Sequence, residues 1–229
     1  MSKSFLAFSS ITKKYTMAIA GLFLVVFLMV HLGINLFLLP IAENHKEMFA
    51  EAAHFMGTNW IVKVFELVLM AAFLIHIILG IVLHIQNKMA RGYTYKVASK
   101  STTSFMSKYI IWTGLVILAF LALHFYQFYF IKLGIVEAPL AANVPHPQEE
   151  HFYELAVYLF SSSMLYSILY IISFVVLGIH LNHAFQSAFQ SLGLNHKKYT
   201  PAIKAIGKVY SVVVPLGYII IPLYFILTA

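Results

Sequence analysis

Eleven histidines are spread through a chain of 229 residues, of which 61% are hydrophobic and only 10% charged. His45, His54, His146, His151 and His196 fall in polar segments and need no special role. His31, His76, His84, His124, His180 and His183 fall inside or at the ends of long apolar stretches. An ionisable ring at membrane depth is costly, and it faces the bundle interior with a partner. One such His alone is as well explained by a neutral imidazole bonded to a carbonyl one turn away. One in each of four consecutive stretches points instead to ligation. The chain has no Cys, which removes thiolate-held iron–sulfur clusters, Cys-type zinc sites and covalent haem attachment. Zinc would need a third and fourth ligand at one level. Two facing imidazoles without a carboxylate suit an iron porphyrin with both axial positions taken, which has no open site for oxygen and passes only electrons.

Depth sorts four of these histidines into two layers. His31 lies 17 residues after Lys14 and His124 lies 16 after Lys108, so both sit roughly 25 Å from one basic edge at 1.5 Å per residue. His76 lies 12 residues before Lys88 and His180 lies 12 before Leu192, or roughly 18 Å from the same edge. The expected pairs are therefore His31 with His124 in an outer layer and His76 with His180 in an inner one. Ala72 and Gly80 flank His76 on its own face, and Ser173, Ala184 and Ser187 flank His180. These small side chains leave room for a macrocycle, although small residues also serve plain helix packing in membranes. The outer pair has bulkier company, with Phe27 and Asn35 around His31 and Thr113, Phe120 and Phe128 around His124.

The elements that must position these rings are five apolar stretches, roughly Thr16–Ile41, Trp60–Ile85, Tyr109–Ile131, Ala156–Phe189 and Ile203–Leu227. Each reaches the ~20 residues that cross the hydrocarbon as helix, and lipid cannot satisfy open backbone groups. Mean hydropathy of +0.86 agrees, since a soluble domain would be about a quarter charged. The fold class expected is all-α, an integral membrane bundle of five transmembrane helices forming one domain over residues 1–229. The first stretch is longer than the apolar core of a cleaved signal and lacks its small-residue exit. Segments 1–15, 86–108 and 190–208 hold 12 of the 15 basic residues and no acid, while 42–59 and 132–155 hold 7 of the 8 acids. By the positive-inside bias the basic side and the N-terminus are cytoplasmic. The charge of +7 is thus a topology signal and calls for no nucleic acid; the basic loops also suit an acidic soluble partner. Asn44–Met56 has helical periodicity along the outer surface, and Gly134–His151, with Pro139, Pro145 and Pro147, reads as irregular cover.

Other chemically capable residues have two readings each. His84 and His183 are rotated off the faces of His76 and His180; either bonds a haem propionate or snorkels to the interface. Arg91 and nearby lysines are propionate candidates or solvated loop charges. Glu66, the one acid within a span, either exchanges a proton at a quinone or reaches to the interface, pairing with Lys63 at i−3. Pro215 and Pro222 imply kinks in the fifth span, which lacks His and closes the bundle.

The ordered set of four histidines and its flanking strings resemble the cytochrome b membrane subunit of succinate dehydrogenases and fumarate reductases, in the branch with one membrane polypeptide and two haems. The strings are KKYTMAIAGLFLVVFLMVHLGINLF around His31, EAAHFMGTNW before the second span, IHIILGIVLHIQN around His76, LHFYQF around His124 and GIHLNHAFQSAF around His180. The resemblance covers essentially the whole chain. It implies two b-type haems, ligated by His76/His180 near the cytoplasm and by His31/His124 distally. It also implies a flavoprotein subunit and an iron–sulfur subunit docked on the basic loops, a membrane quinone, with menaquinone expected, as electron acceptor, and a place in the bacterial cytoplasmic membrane. The chain would be the membrane subunit of the enzyme, with no dicarboxylate site of its own. Quinol-oxidising members carry a Glu two residues before the fourth ligand; here that position is Gly178, which tilts the expectation toward succinate oxidation. Two other readings remain: a di-haem cytochrome b serving another dehydrogenase or a hydrogenase, and a proton-coupled transporter with a His relay. Transporters often show paired broken helices near the midplane, whereas here prolines interrupt only the fifth span.

Overall fold

The computed structural model describes residues 9–90, 105–139 and 151–228. Arg91, His146, Pro145 and Pro147 lie outside the described residues. Among the described residues every regular element is helical. In chain order these are α1 (Ser10–Asn35), a 3₁₀ turn (Leu36–Leu38), α2 (His45–Thr58), α3 (Trp60–Ala90) and α4 (Phe105–His124). A π-helical segment (Phe125–Tyr129) follows, then α5 (Phe130–Lys132), α6 (Phe152–Ser162), α7 (Met164–Ser191) and α8 (Thr200–Thr228). Five segments are long and apolar enough to cross a membrane: Ser10–Leu38, Trp60–Met89, Tyr109–Lys132, Met164–Ser191 and Thr200–Thr228. Large apolar side chains cover their outer faces, with Leu67 and Trp112 73% and 63% exposed, as befits a multi-pass membrane protein.

Local chemistry sets the ends. The Ser9 hydroxyl accepts from the Thr12 N–H at the start of α1, and Asn59 Oδ1 accepts from Ile61 N–H at 2.9 Å at the start of α3; both fill donors a helix leaves unpaired. Gly193, at φ +76°, closes α7 with Leu194 N–H bonded back to the Phe189 carbonyl at 3.0 Å, the turn that favours glycine past a helix end.

The fourth apolar stretch is not one helix. It breaks at Ser163 (φ −139°, ψ 100°), whose hydroxyl caps α7 by accepting from Tyr166 N–H. The run Ser161–Ser163 supplies the cap that an unbroken apolar helix would lack. The Phe160 carbonyl freed at the break is taken by the Ser167 hydroxyl at 3.0 Å. The fifth stretch forms one helix, α8, with Pro215 and Pro222 inside it.

Contacts between helices place α1, α3, α4 and α7 as a quartet: α1 lies against α3 and α7, and α4 lies against α7. α3 and α4 touch only sparingly. α8 packs along α7 and α1, with Tyr210 and Tyr218 hydroxyls donating to the Val25 and Leu28 carbonyls at 2.6 and 2.8 Å. At one end, Tyr15 reaches the Leu192 carbonyl and Lys13 reaches Gln86, so the start of α1 and the ends of α3 and α7 lie together. This is the basic end. At the acidic end α2 and α6 cap the bundle, and Leu38, Phe49, Tyr153, Phe160 and Phe225 form a core there.

Candidate functional site

The quartet brings the membrane histidines together across its diagonals. His31 on α1 and His124 on α4 have ring centroids 5.9 Å apart; His76 on α3 and His180 on α7 are 6.4 Å apart. A metal–imidazole bond is about 2.0–2.1 Å. Adding about 1.1 Å from nitrogen to centroid on each side, two opposed axial imidazoles would have centroids about 6.3 Å apart. Both pairs fit that spacing. Among the described residues no group of three or more His, Cys, Asp and Glu could hold an ion, so each couple offers two imidazole donors and no third side-chain ligand of these types.

Three helices agree on the separation of the layers. A Cβ at Gly21 would stand 3.4 Å from the His76 ring, so Gly21 marks the inner level on α1, ten residues before His31. On α7, His180 lies ten residues after Tyr170, the neighbour of His124. On α4, Thr113 beside His180 lies eleven before His124. Each spacing gives about 15–17 Å along the axis.

Hydrogen bonds set which ring nitrogen is free. The Thr113 hydroxyl lies 2.8 Å from the Ile110 carbonyl and 3.0 Å from His180 Nδ1. With its proton on the carbonyl it accepts from Nδ1–H, the tautomer that leaves the Nε2 lone pair open. The same logic holds at His124, where Tyr170 donates to Gln127 Oε1 at 2.7 Å and accepts from Nδ1–H at 3.3 Å. Fixing the tautomer through the other nitrogen is how ligating histidines are oriented. His76 Nδ1 makes no hydrogen bond of good geometry, with the Met17 backbone beside it. His31 is the exception: Asn35 Nδ2, bonded to the His31 carbonyl at 2.7 Å, also approaches Nδ1 at 3.4 Å. Ligation through Nε2 at His31 would give up that long contact.

Space and ring packing differ between layers. A Cβ at Gly80, one turn from His76, would meet nothing within 4 Å, and Gly114 leaves the His180 ring at 3.7 Å from its own. In the outer layer Phe27 stacks on His31 at 5.1 Å and Phe120 on His124 at 5.8 Å. Phe128 also packs on His124, at 5.2 Å. Thr113 does not join this group as expected. Eleven residues carry it a full layer away, to His180.

The lesser candidates separate clearly. Glu66 pairs with Lys132 at 2.9 Å, a bond between α3 and α5 rather than one to Lys63 on its own helix. His84 is exposed and His183 half-buried. Lys13, counted in the sequence among basic loop residues, is only 5% exposed, and its ammonium donates to Gln86 Oε1 at 3.2 Å. Lys13 lies four residues before Met17, hence one turn toward the basic end from the His76 level. A buried ammonium beside a neutral amide favours an anion nearby. No sequence pattern marked Tyr170 or Gln127, or set Lys13 and Thr113 beside their partners, because those partners lie 43 to 73 residues away in the chain.

Fold and site thus define a histidine-paired helical membrane bundle. Comparison with family models, with curated proteins and with solved structures found no match for this chain.

Proposed function

We propose that this chain is the membrane anchor and electron-transfer subunit of a succinate:quinone oxidoreductase, holding two b-type haems between His76/His180 and His31/His124. The observation that carries the reading is the pair of cross-bundle imidazole couples, each at axial-ligand spacing and stacked about 15 Å apart within one apolar bundle. A haem held there by His76 and His180, or by His31 and His124, would supply one-electron transfer. The chain's own residues do the rest. Thr113 and Tyr170 hold the ligating tautomers of His180 and His124. The sparse α3–α4 contact and the space at Gly80 admit a flat ring. Lys13 offers an ammonium to a propionate on the basic side, a stronger candidate than exposed His84.

In this reading the basic end faces the bacterial cytoplasm. Lys88, Lys197, Lys198, Lys204 and Lys208 are exposed there and dock an iron–sulfur subunit, which is reduced by a flavoprotein. Succinate gives up two electrons and two protons to become fumarate, and a membrane quinone takes up two of each. Glu66, held by Lys132, acts as an interhelix tie.

A succinate-reduced minus oxidised spectrum of membranes with and without this subunit tests the proposal. Two bis-histidine haem signals reducible by succinate, both lost without the chain, are expected. Copurification with a hydrogenase and no succinate-reducible signal would remove the assignment. Within the protein, Thr113→Val removes the acceptor for His180 Nδ1–H while keeping side-chain shape. Outer-shell changes of this kind cost about 10–100-fold in metal-site affinity. The inner site of this variant should therefore lose its cofactor on dilution in detergent while the outer site keeps it, as read by haem-to-protein ratio.

A further inference from the structure

We propose that a cavity where α2, α6 and α8 meet binds the headgroup of a zwitterionic phospholipid, its phosphate on Lys46 and Tyr153 and its ammonium among neighbouring carboxylates. The site goes beyond the proposed function and does not depend on what the histidine couples hold.

The cavity, of about 350 Å³, is at the lower end of the range of small-ligand pockets. Its polar lining comes from all three helices: His45 and Lys46 on α2, Tyr153 and Ser161 on α6, and Tyr224 on α8. Its apolar wall is built by Leu38, Val157 and Phe225. Leu38 ends the first membrane-crossing segment, and Thr228, also at the cavity, ends the fifth. The cavity therefore lies at the level where hydrocarbon gives way to headgroups, the depth at which tyrosines and lysines anchor membrane proteins.

The polar groups gathered there lack partners of their own. Glu43 and Glu47 stand three residues before and one after Lys46, yet its ammonium makes no ion pair among the described residues. It lies instead over the Tyr153 ring, 5.5 Å from the centroid. Tyr153 is only 9% exposed, and its ring packs on His45 and Phe49 at 5.7 and 5.8 Å. Its hydroxyl makes no hydrogen bond among the described residues. Burial, with Tyr224 and Glu154 adding to it, pushes the phenol up, so it stays a neutral donor. A phenol so enclosed needs an acceptor, and the cavity it lines is where one can arrive. His45 donates its Nδ1–H to the Phe37 carbonyl at 3.0 Å, which fixes the ring and leaves Nε2 as an acceptor.

An ammonium and a phenol side by side call for an anion, but the surroundings are acidic. Glu43, Glu47 and Glu154 are exposed beside them in the chain and make no ion pair among the described residues. Those carboxylates repel free phosphate and any headgroup of net negative charge. A phosphoethanolamine headgroup meets both demands. Its phosphate accepts charge-assisted bonds from Lys46 and Tyr153, its ammonium donates to the carboxylates, and its acyl chains run along the apolar wall. A lipid held this way ties α2 and α6 to the end of α8.

The test is titration of the purified full chain in detergent with dioleoyl phosphatidylethanolamine, phosphatidylcholine, phosphatidylglycerol or inorganic phosphate. Bound lipid is counted by native mass spectrometry, and the unfolding midpoint is followed in parallel. Phosphatidylethanolamine should be retained most tightly and should raise the midpoint, while inorganic phosphate should leave it unmoved. Lys46→Gln removes the charge at an exposed position, and Tyr153→Phe removes the hydroxyl while keeping the ring contacts. Each should weaken retention of phosphatidylethanolamine roughly 10-fold, the loss of one charge-assisted bond, and Lys46→Gln should leave the lipid-free midpoint unchanged. Should Tyr153→Phe fail to fold, Lys46→Gln decides together with Ser161→Trp, which fills the cavity from an exposed position and should abolish retention. Wild-type retention in folded Lys46→Gln and Ser161→Trp proteins would overturn the site, as would equal retention of all three lipids. Tighter binding of phosphatidylglycerol, or a Lys46-dependent rise of the midpoint with inorganic phosphate, would overturn the zwitterionic occupant and with it the proposal.

Discussion

Replacing His76 or His180 by Leu should remove one and the same haem signal, and replacing His31 or His124 should remove the other. Each variant should bind about half the wild-type haem, and the double variant His76→Leu/His180→Leu should be no worse than either single one, because residues sharing one ligand are not additive. The physical ground is the diagonal geometry: the partners sit on helices that do not neighbour one another, so a lost imidazole has no replacement on an adjacent turn. Haem content by pyridine haemochrome and a redox titration of each variant measure this. A common signal lost from both His76 and His31 variants would break the pairing.

The second large effect is expected at Gly178. A Cβ there would lie 2.9 Å from the Ser211 backbone carbonyl and 3.3 Å from Pro215 Cγ. Backbone oxygen cannot swing aside, so α7 and α8 must separate to admit a methyl group. Overpacking of this kind costs about 1–3 kcal/mol, and Gly178→Ala should lower the unfolding midpoint in detergent. Gly178→Glu should be worse, and should leave His180 displaced because it lies two residues away on the same helix. Gly33→Ala, where nothing lies within 4 Å, should be harmless. A Gly178→Ala protein as stable as wild type would show that the contact yields. Gly178 is accordingly a packing residue, set against the backbone of α8.

Much of the architecture was legible in the sequence because lipid forces it. Apolar length located the five crossing helices, and the four histidines fell at depths that matched the rings now found side by side. The break at Ser163 was missed because hydropathy runs on through Ala156–Phe189, while a helix ends wherever a hydroxyl can cap the next one. Thr113 was set beside the wrong histidine because proximity in sequence was taken for proximity in space. Glu66 was offered Lys63 for the same reason, whereas Lys132 comes from a helix 66 residues on. The hydroxyl partners of His124 and His180, Tyr170 and Thr113, carried no local signature of those contacts. They arise from how α4 and α7 lie against each other, a relation that no single-helix pattern encodes.

The tyrosine hydroxyls of α8 have a consequence for biogenesis. Val25 and Leu28, whose carbonyls they hold, lie six and three residues before His31, and Tyr218 also lies 6.1 Å from that imidazole. The height and rotation of α1 are therefore pinned by α8. A nascent chain from which α8 had not yet emerged would have His31 on an unclamped segment, and the outer couple would reach its final register only once α8 had docked.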